Sequence, residues 1–321
     1  MNQSQCAVFG KVRLFSSGAV ALSILLSVIF SNSLGRDSLN WQIVMAAIAL
    51  AVGVPHGALD HLVTLKNSSR ARMIFFIVLY IAAALTAVLA LLRWNVWGFT
   101  VIVVMSSLHF GVGDSAFIAE LDRLENRKGA SIPVWAYAGA GGLLPVVIPL
   151  TNSRSTEALE RINSNLVDWH QGFTSEIQIA VAVRTTLSLM ALIKRKRYRD
   201  VLDISLLAAL AALAPPLVAF SVYFGCWHAM RHTARLTSIL PNSLKAYERG
   251  SQLGAFKAAV IPGLPALIGT IIFVILLAGF SQQELSDSFL WLTLVTIWAL
   301  TVPHMIVTAR LDLAAFKREK L

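Results

Sequence analysis

The chain reads as an all-α, polytopic transmembrane helical bundle of about ten spans with both termini cytoplasmic. Three observations predict this. Of 321 residues, 56% are hydrophobic and only 14% are charged, a balance that soluble domains rarely reach. Apolar runs long enough to cross about 30 Å of hydrocarbon recur from end to end. The net charge of +10 gathers in connectors such as Lys194-Arg195-Lys196-Arg197-Tyr198-Arg199. Nucleic-acid binding is the other reading of a basic chain, but no basic surface with interleaved aromatics occurs, so no nucleic-acid partner is expected. Lys and Arg on a cytoplasmic membrane rim account for the charge.

The first span, 16–31, follows Lys11 and Arg13 and ends at Ser31-Asn32-Ser33, so it also reads as a signal-like segment. Apolar runs at 42–63, 72–92, 97–118, 132–150 and 177–193 follow. The connector 151–176 carries Leu159, Ile162, Leu166 and Trp169 at helical spacing and is expected to lie along the outer interface. The stretch 200–236 is too long for one crossing. It is interrupted at Ala214-Pro215-Pro216, where two prolines remove two backbone donors. Spans at 258–280 and 289–309 complete the set.

Charge decides how 200–236 is divided. Lys11 and Arg13 precede span 1, and Arg36 stands alone after it. Lys66, Arg70 and Arg72 come next, then Arg93 alone, then Arg123, Arg127 and Lys128. Arg154 and Arg161 occupy the long connector, and the 194–199 cluster follows. Rich and poor sides alternate. One span in 200–236 would put Lys245, Arg249 and Lys257 outside, together with the tail residues Lys317, Arg318 and Lys320. Two spans place every connector on the expected side, including 281–288, which has no Lys or Arg and falls outside. Cys6 and Cys226 are far apart and imply no disulfide framework.

Six of the seven histidines sit within or at the edge of apolar spans: His56, His61, His109, His228, His232 and His304. Only His170 lies in a connector. Polar groups in hydrocarbon are costly, and they usually serve function when they recur. The histidine-bearing spans 2, 4, 8 and 10 all run from outside to inside in the ten-span reading. Each histidine motif then lies roughly 10–20 Å from the cytoplasmic edge of its helix, a common depth for one shared centre. His228 and His232 are four apart, so they project from one face and can share a metal. His56 and His61 are about 140° apart around a helix and are not expected to bind one ion. Asp60, four after His56, is positioned to orient its ring, and Asp114, five after His109, is a weaker candidate for the same role. Pro55 and Pro303 each free a carbonyl one turn earlier, which suits a kinked site wall. Neutral imidazoles suit zinc, copper or iron.

In order along the chain, Pro-His-Gly-Ala-Leu-Asp at 55–60, His-Phe-Gly at 109–111 with Asp114, the histidine pair at 228 and 232, and Val-Pro-His-Met at 302–305 resemble the Brp/Blh family. These are membrane β-carotene 15,15′-dioxygenases of bacteria and archaea. The resemblance covers about residues 42 to 310, with the Ala-Pro-Pro break at 214–216 included. It implies a catalytic transmembrane domain over 42–310, an N-terminal extension over 1–41 and a basic cytoplasmic tail over 311–321. It also implies central cleavage of β-carotene by O₂ at a ferrous ion (Fe²⁺), giving two molecules of all-trans-retinal. Coupling to a microbial rhodopsin in the cell (inner) membrane follows. By motif, the iron ligands are His56, His109, His228 and His232. His304 is assigned an orienting or cavity-lining place, and His61 and Ala229 depart from the family pattern.

Membrane lipid surrounds such a site, and β-carotene dissolves in it. Phe110, Phe220, Tyr223, Phe224 and Trp227 flank the histidines and are expected either to line a polyene tunnel or to pack ordinarily. Gly139-Ala140-Gly141-Gly142 leaves room for the polyene or, more in keeping with small residues in membrane helices, for close helix contact. Other classes remain: a bis-histidine haem electron-transfer protein, a family member that regulates without turnover, a di-iron desaturase, and a proton-coupled transporter. The desaturase reading lacks its His-x-x-His-His boxes.

Overall fold

A computed structural model describes residues 2–30, 39–65, 69–127, 131–281 and 285–317. Among them every regular element is helical. Helix α1 (Asn2–Ile29) is followed by α2 (Leu39–Gly57), the short α3 (Asp60–Thr64), α4 (Arg70–Arg93), α5 (Asn95–Leu124) and α6 (Val134–Leu150). A 62° bend leads from α6 into α7 (Thr156–Asn163). Next come α8 (Thr174–Lys194), α9 (Tyr198–Leu213), α10 (Pro216–Ser221), a π-helical turn (Val222–His228) and α11 (Ala229–Thr237). The chain closes with α12 (Pro241–Glu248), α13 (Gln252–Val260), α14 (Pro265–Ser281) and α15 (Leu285–Lys317).

Seven stretches among these residues are long and apolar enough to cross a membrane, and α6 with its bent extension makes an eighth. They are α1, α2 with α3, α4, α5, α8, α13 with α14, and α15. Their outer faces are apolar too. On α4, Ile74 and Phe75 are 63% and 65% exposed, as lipid-facing residues are and water-facing ones rarely are. The molecule is a helical membrane bundle.

The break expected at 214–216 is present. Ala214 and Pro215 adopt extended backbone, and Pro216 opens α10 at a position where its missing N–H costs nothing. The chain then doubles back, because Arg231 on α11 reaches Asp203 on α9 at 3.2 Å. A single crossing would hold these residues about 40 Å apart.

Lys194, Arg195 and Lys196 of the basic cluster are exposed, but some charges near the ends of the helices are buried in pairs. The first span was expected to begin at 16, but α1 runs unbroken from Asn2 through Lys11 and Arg13. Arg13 is buried and donates to Asp200 Oδ1 (2.5 Å) and Asp203 Oδ2 (2.8 Å) of α9. Arg231 pairs with Asp203 and with the Tyr137 hydroxyl, and Arg235 with Glu120 and Asp312. A charge that is paired and hydrogen-bonded can enter the core, and removing one partner of such a pair costs about 3–5 kcal/mol. Phe9 stacks on Phe117 with ring centres 5.1 Å apart, so α1 packs into the core of the bundle. Ser31-Asn32-Ser33, Arg36, Lys66, Lys128, Arg318 and Lys320 lie outside the described residues.

The glycine run in α6 serves close contact. A Cβ on Gly142 would lie 1.8 Å from the Ser107 carbonyl oxygen of α5, and one on Gly111 would lie 2.0 Å from that of Ala138. The connector after α6 turns its apolar side inward. Leu159, Leu166 and Trp169 are buried, with Trp169 edge-on to Phe99 at 5.9 Å. Leu159 and Ile162 also line the smaller of the cavities described below.

A candidate metal centre between two cavities

Four separate helical segments bring five imidazoles together: His56 from the last turn of α2, His109 from the middle of α5, His228 and His232 from the π-turn and α11, and His304 from α15. All five are buried. Ring centres lie 5.0 Å apart for His109 and His228, 5.1 Å for His56 and His232, and 5.2 Å for His304 with both His56 and His109. His56 and His228 stand at 5.9 Å, and His228 and His232 at 6.3 Å. Neighbouring imidazoles on one ion, with metal–nitrogen bonds near 2.1 Å, would have ring centres about 4.5–5.5 Å apart. Four of these six spacings fall in that range, and the donor type suits a metal. As the side chains stand, no three His, Cys, Asp or Glu groups among the described residues form a completed metal-holding group.

Two of the outward nitrogens, those of His304 and His109, are hydrogen-bonded. The His304 Nδ1 lies 3.0 Å from each carboxylate oxygen of Asp60, which also accepts from the Tyr80 hydroxyl (3.1 Å). His109 Nδ1 meets Thr308 Oγ1 at 3.3 Å, while that hydroxyl donates to the His304 carbonyl. His228 Nδ1 faces Asp114 Oδ1 at 3.5 Å. Asp114 Oδ2 accepts from Tyr223 (3.1 Å) and Trp227 Nε1 (2.8 Å), and Arg231 stacks over Trp227 at 3.6 Å. Both ring nitrogens of His228, Nδ1 of His56 and Nε2 of His304 are buried without a hydrogen-bond partner. Leaving such a group unpaired costs about 1–3 kcal/mol, which an ion would relieve.

Two pairings differ from expectation. Asp60 orients His304, not His56, because α2 ends at Gly57 and Asp60 begins a new helix, so i, i+4 spacing does not apply. Asp114 faces His228, not His109, since five residues along one helix turn a side chain about 140° away. Tyr223 and Trp227 are likewise hydrogen-bond donors to Asp114 and do not line either cavity described below. His61 turns Nδ1 to the Ala58 carbonyl (3.1 Å). The π-turn carrying His228 had no signal in the sequence, nor did Tyr80, one of two hydroxyl residues in the apolar α4. Thr308 stood one turn after His304, and that spacing was its only trace.

Two cavities share a wall, and one of them reaches the rings. The larger, about 650 Å³, is lined by His56, His61, His109 and His304 with Phe76 and Phe273. The smaller, about 160 Å³, runs toward Phe99, Pro145, Phe220 and Trp298. Phe110, Phe224, Ile297 and Thr301 line both and so form the partition. Gly53 leaves room for the Phe224 ring, since a Cβ there would lie 2.1 Å from it. Both walls are overwhelmingly apolar, which suits a hydrocarbon ligand.

Comparison with known proteins agrees with this chemistry. Residues 47–312 match the family model described as beta-carotene 15,15'-dioxygenase. The protein named beta-carotene 15,15'-dioxygenase from uncultured marine bacterium 66A03 is 28% identical over 272 residues, covering 81% of this chain and 90% of that protein. The probable beta-carotene 15,15'-dioxygenase Blh of Halobacterium salinarum is 24% identical over 289 residues, 84% of this chain and 83% of that one. No solved structure matches. A family match across most of the chain, centred on the buried histidines, makes this protein an enzyme of the beta-carotene 15,15'-dioxygenase family.

Proposed function

We propose that the enzyme cleaves β-carotene with O₂ at its central double bond, at a ferrous ion, and releases two molecules of all-trans-retinal. The observation that carries this reading is the imidazole cluster in the wall of an apolar cavity, which shares Phe110, Phe224, Ile297 and Thr301 with a second one. A long polyene lying across the Phe110–Phe224 partition would have one half on each side and its midpoint beside the rings. His56, His109, His228 and His232 would hold the iron, which supplies the binding and activation of O₂.

The chain's own residues do the rest. Thr308 holds the His109 ring by its outer nitrogen, and Asp114 Oδ1 stands 3.5 Å from that of His228, so that the inner nitrogens face the site. Phe110 and Phe224 limit how far the polyene slides and so select the bond presented, a matter of positioning. The apolar walls keep water from the reacting carbons.

For topology we propose ten crossings with both termini cytoplasmic, in the cell (inner) membrane. The short α9 and the continuous 216–237 segment add two crossings to the eight. Contacts between distant elements support this by joining ends assigned to one side: Lys11 with Gln252 and Arg13 with Asp203 within, Arg161 with Asn40 without. A microbial rhodopsin would be the consumer of the retinal.

The test is product analysis in liposomes with ferrous iron, O₂ and β-carotene. Two retinals per carotene are expected, and removal of O₂ or chelation of iron should stop the reaction. Unequal apocarotenals would refute central cleavage, and turnover that survives iron chelation would refute the metal assignment.

A further inference from the structure

The four histidines carried over by motif do not by themselves close the centre. His109 stands in ring contact with His228, but the way round from His109 to His56 and His232 on its other side passes through His304. That ring lies 5.2 Å from His109, 5.2 Å from His56 and 5.6 Å from His232. With His304 included, the rings of His109, His228, His232 and His304 form a closed circuit, and His56 contacts three of them.

We propose that His304 is a fifth metal-binding imidazole, not only an orienting or lining residue. Its Nδ1 is committed to Asp60, with both carboxylate oxygens at 3.0 Å. A carboxylate that only accepts hydrogen bonds places the proton on Nδ1 and leaves a lone pair on Nε2. That Nε2 is buried and has no hydrogen-bond partner. Carboxylate, imidazole and a free inward nitrogen form the arrangement in which metal-binding histidines are commonly held. Asp60 is in turn fixed by Tyr80 on α4, whose hydroxyl also lies 3.4 Å from the Leu300 carbonyl. Gly57 gives the ring its room, since a Cβ there would come within 3.3 Å of His304 Nδ1. Five imidazoles on an ion that prefers six ligands leave one position for O₂, so the polyene would be held by the cavity walls without bonding the metal.

This inference rests on the metal reading above, and the test separates the two. Cobalt(II) is titrated into purified metal-free protein in detergent, and the visible ligand-field absorption and the affinity are recorded. The set is wild type, His304→Ala, His304→Gln, Asp60→Asn and His56→Ala, with helical circular dichroism on each. Wild type is expected to take about one cobalt per chain. His304→Gln should shift the absorption bands and weaken binding at least about 10-fold, and Asp60→Asn should weaken it by about 10-fold with smaller band shifts. Wild-type spectrum and affinity in both His304 variants, with loss in His56→Ala, would overturn the role of His304 alone. No binding by wild type would overturn the metal reading and this one with it. If His304→Ala loses its helical signal, His304→Gln and Asp60→Asn carry the decision, because a fold defect alone does not move the bands of the cobalt still bound.

Discussion

His228 shows how much a single side chain is made to do here. It is 1% exposed, sits at the end of a π-turn and faces a carboxylate on another helix. π-Turns are rare and concentrate at functional positions, since the extra residue re-aims the side chains that follow. Replacing this imidazole with a methyl group should remove a proposed metal ligand and leave Asp114 Oδ1 facing a void, with only Oδ2 held by Tyr223 and Trp227. His228→Ala is therefore expected to lower retinal formation at least about 100-fold and to reduce bound iron. His61→Ala, whose ring is turned to the Ala58 carbonyl, should keep most of both. Iron content measured beside product formation checks this, and a His228→Ala protein with full iron would refute the assignment. The candidate residues were legible because histidine is rare in hydrocarbon. Their partners were not, since Asp60 and His304 are 244 residues apart in the chain.

At the scale of elements, α5 and α6 approach so closely that each helix needs glycine where the other's carbonyls pass. No Cβ fits at Gly142, whereas one at Gly141 would meet its nearest neighbour, a Tyr137 ring carbon, at an ordinary 3.6 Å. Gly142→Val should force α5 away from α6 and displace His109, which lies one half-turn beyond Ser107 on the same helix. Overpacking of this kind costs about 1–3 kcal/mol or more. The expected result is a lower unfolding temperature in detergent and weakened metal binding, with Gly141→Ala close to wild type. Equal stability of the two variants would show that the helices separate freely. The sequence left two readings of this glycine run, tunnel space and helix contact, because a small residue marks an absence of bulk without saying what fills it.

For the whole molecule, the arrangement turns on the return of the chain between Asp203 and Arg231. Reporter fusions after residue 198 and after residue 250 should both read cytoplasmic. Opposite readings would leave one crossing between them and end the common-depth argument for the histidines. The buried pairs support the same sidedness, for they join α1, α5, α9, α11 and α15 near ends that the charge alternation assigns to the cytoplasm. Arg13 belongs to that buried layer.

What the sequence determined by itself was the class of molecule, the break at 214–216, and which buried polar residues are candidates for chemistry. Each follows from local physics: an apolar run must cross or be buried, paired prolines must interrupt a helix, and an imidazole in hydrocarbon needs a reason to be there. The tertiary structure decided which partner each of those residues has. Asp60 holds His304, Asp114 faces His228, Arg13 pairs across to Asp203, and Phe110 and Phe224 divide two cavities. Spacing along a helix predicts a shared face only while the helix continues. Pairing between helices depends on how they cross and rotate, which is set by packing summed over the whole bundle.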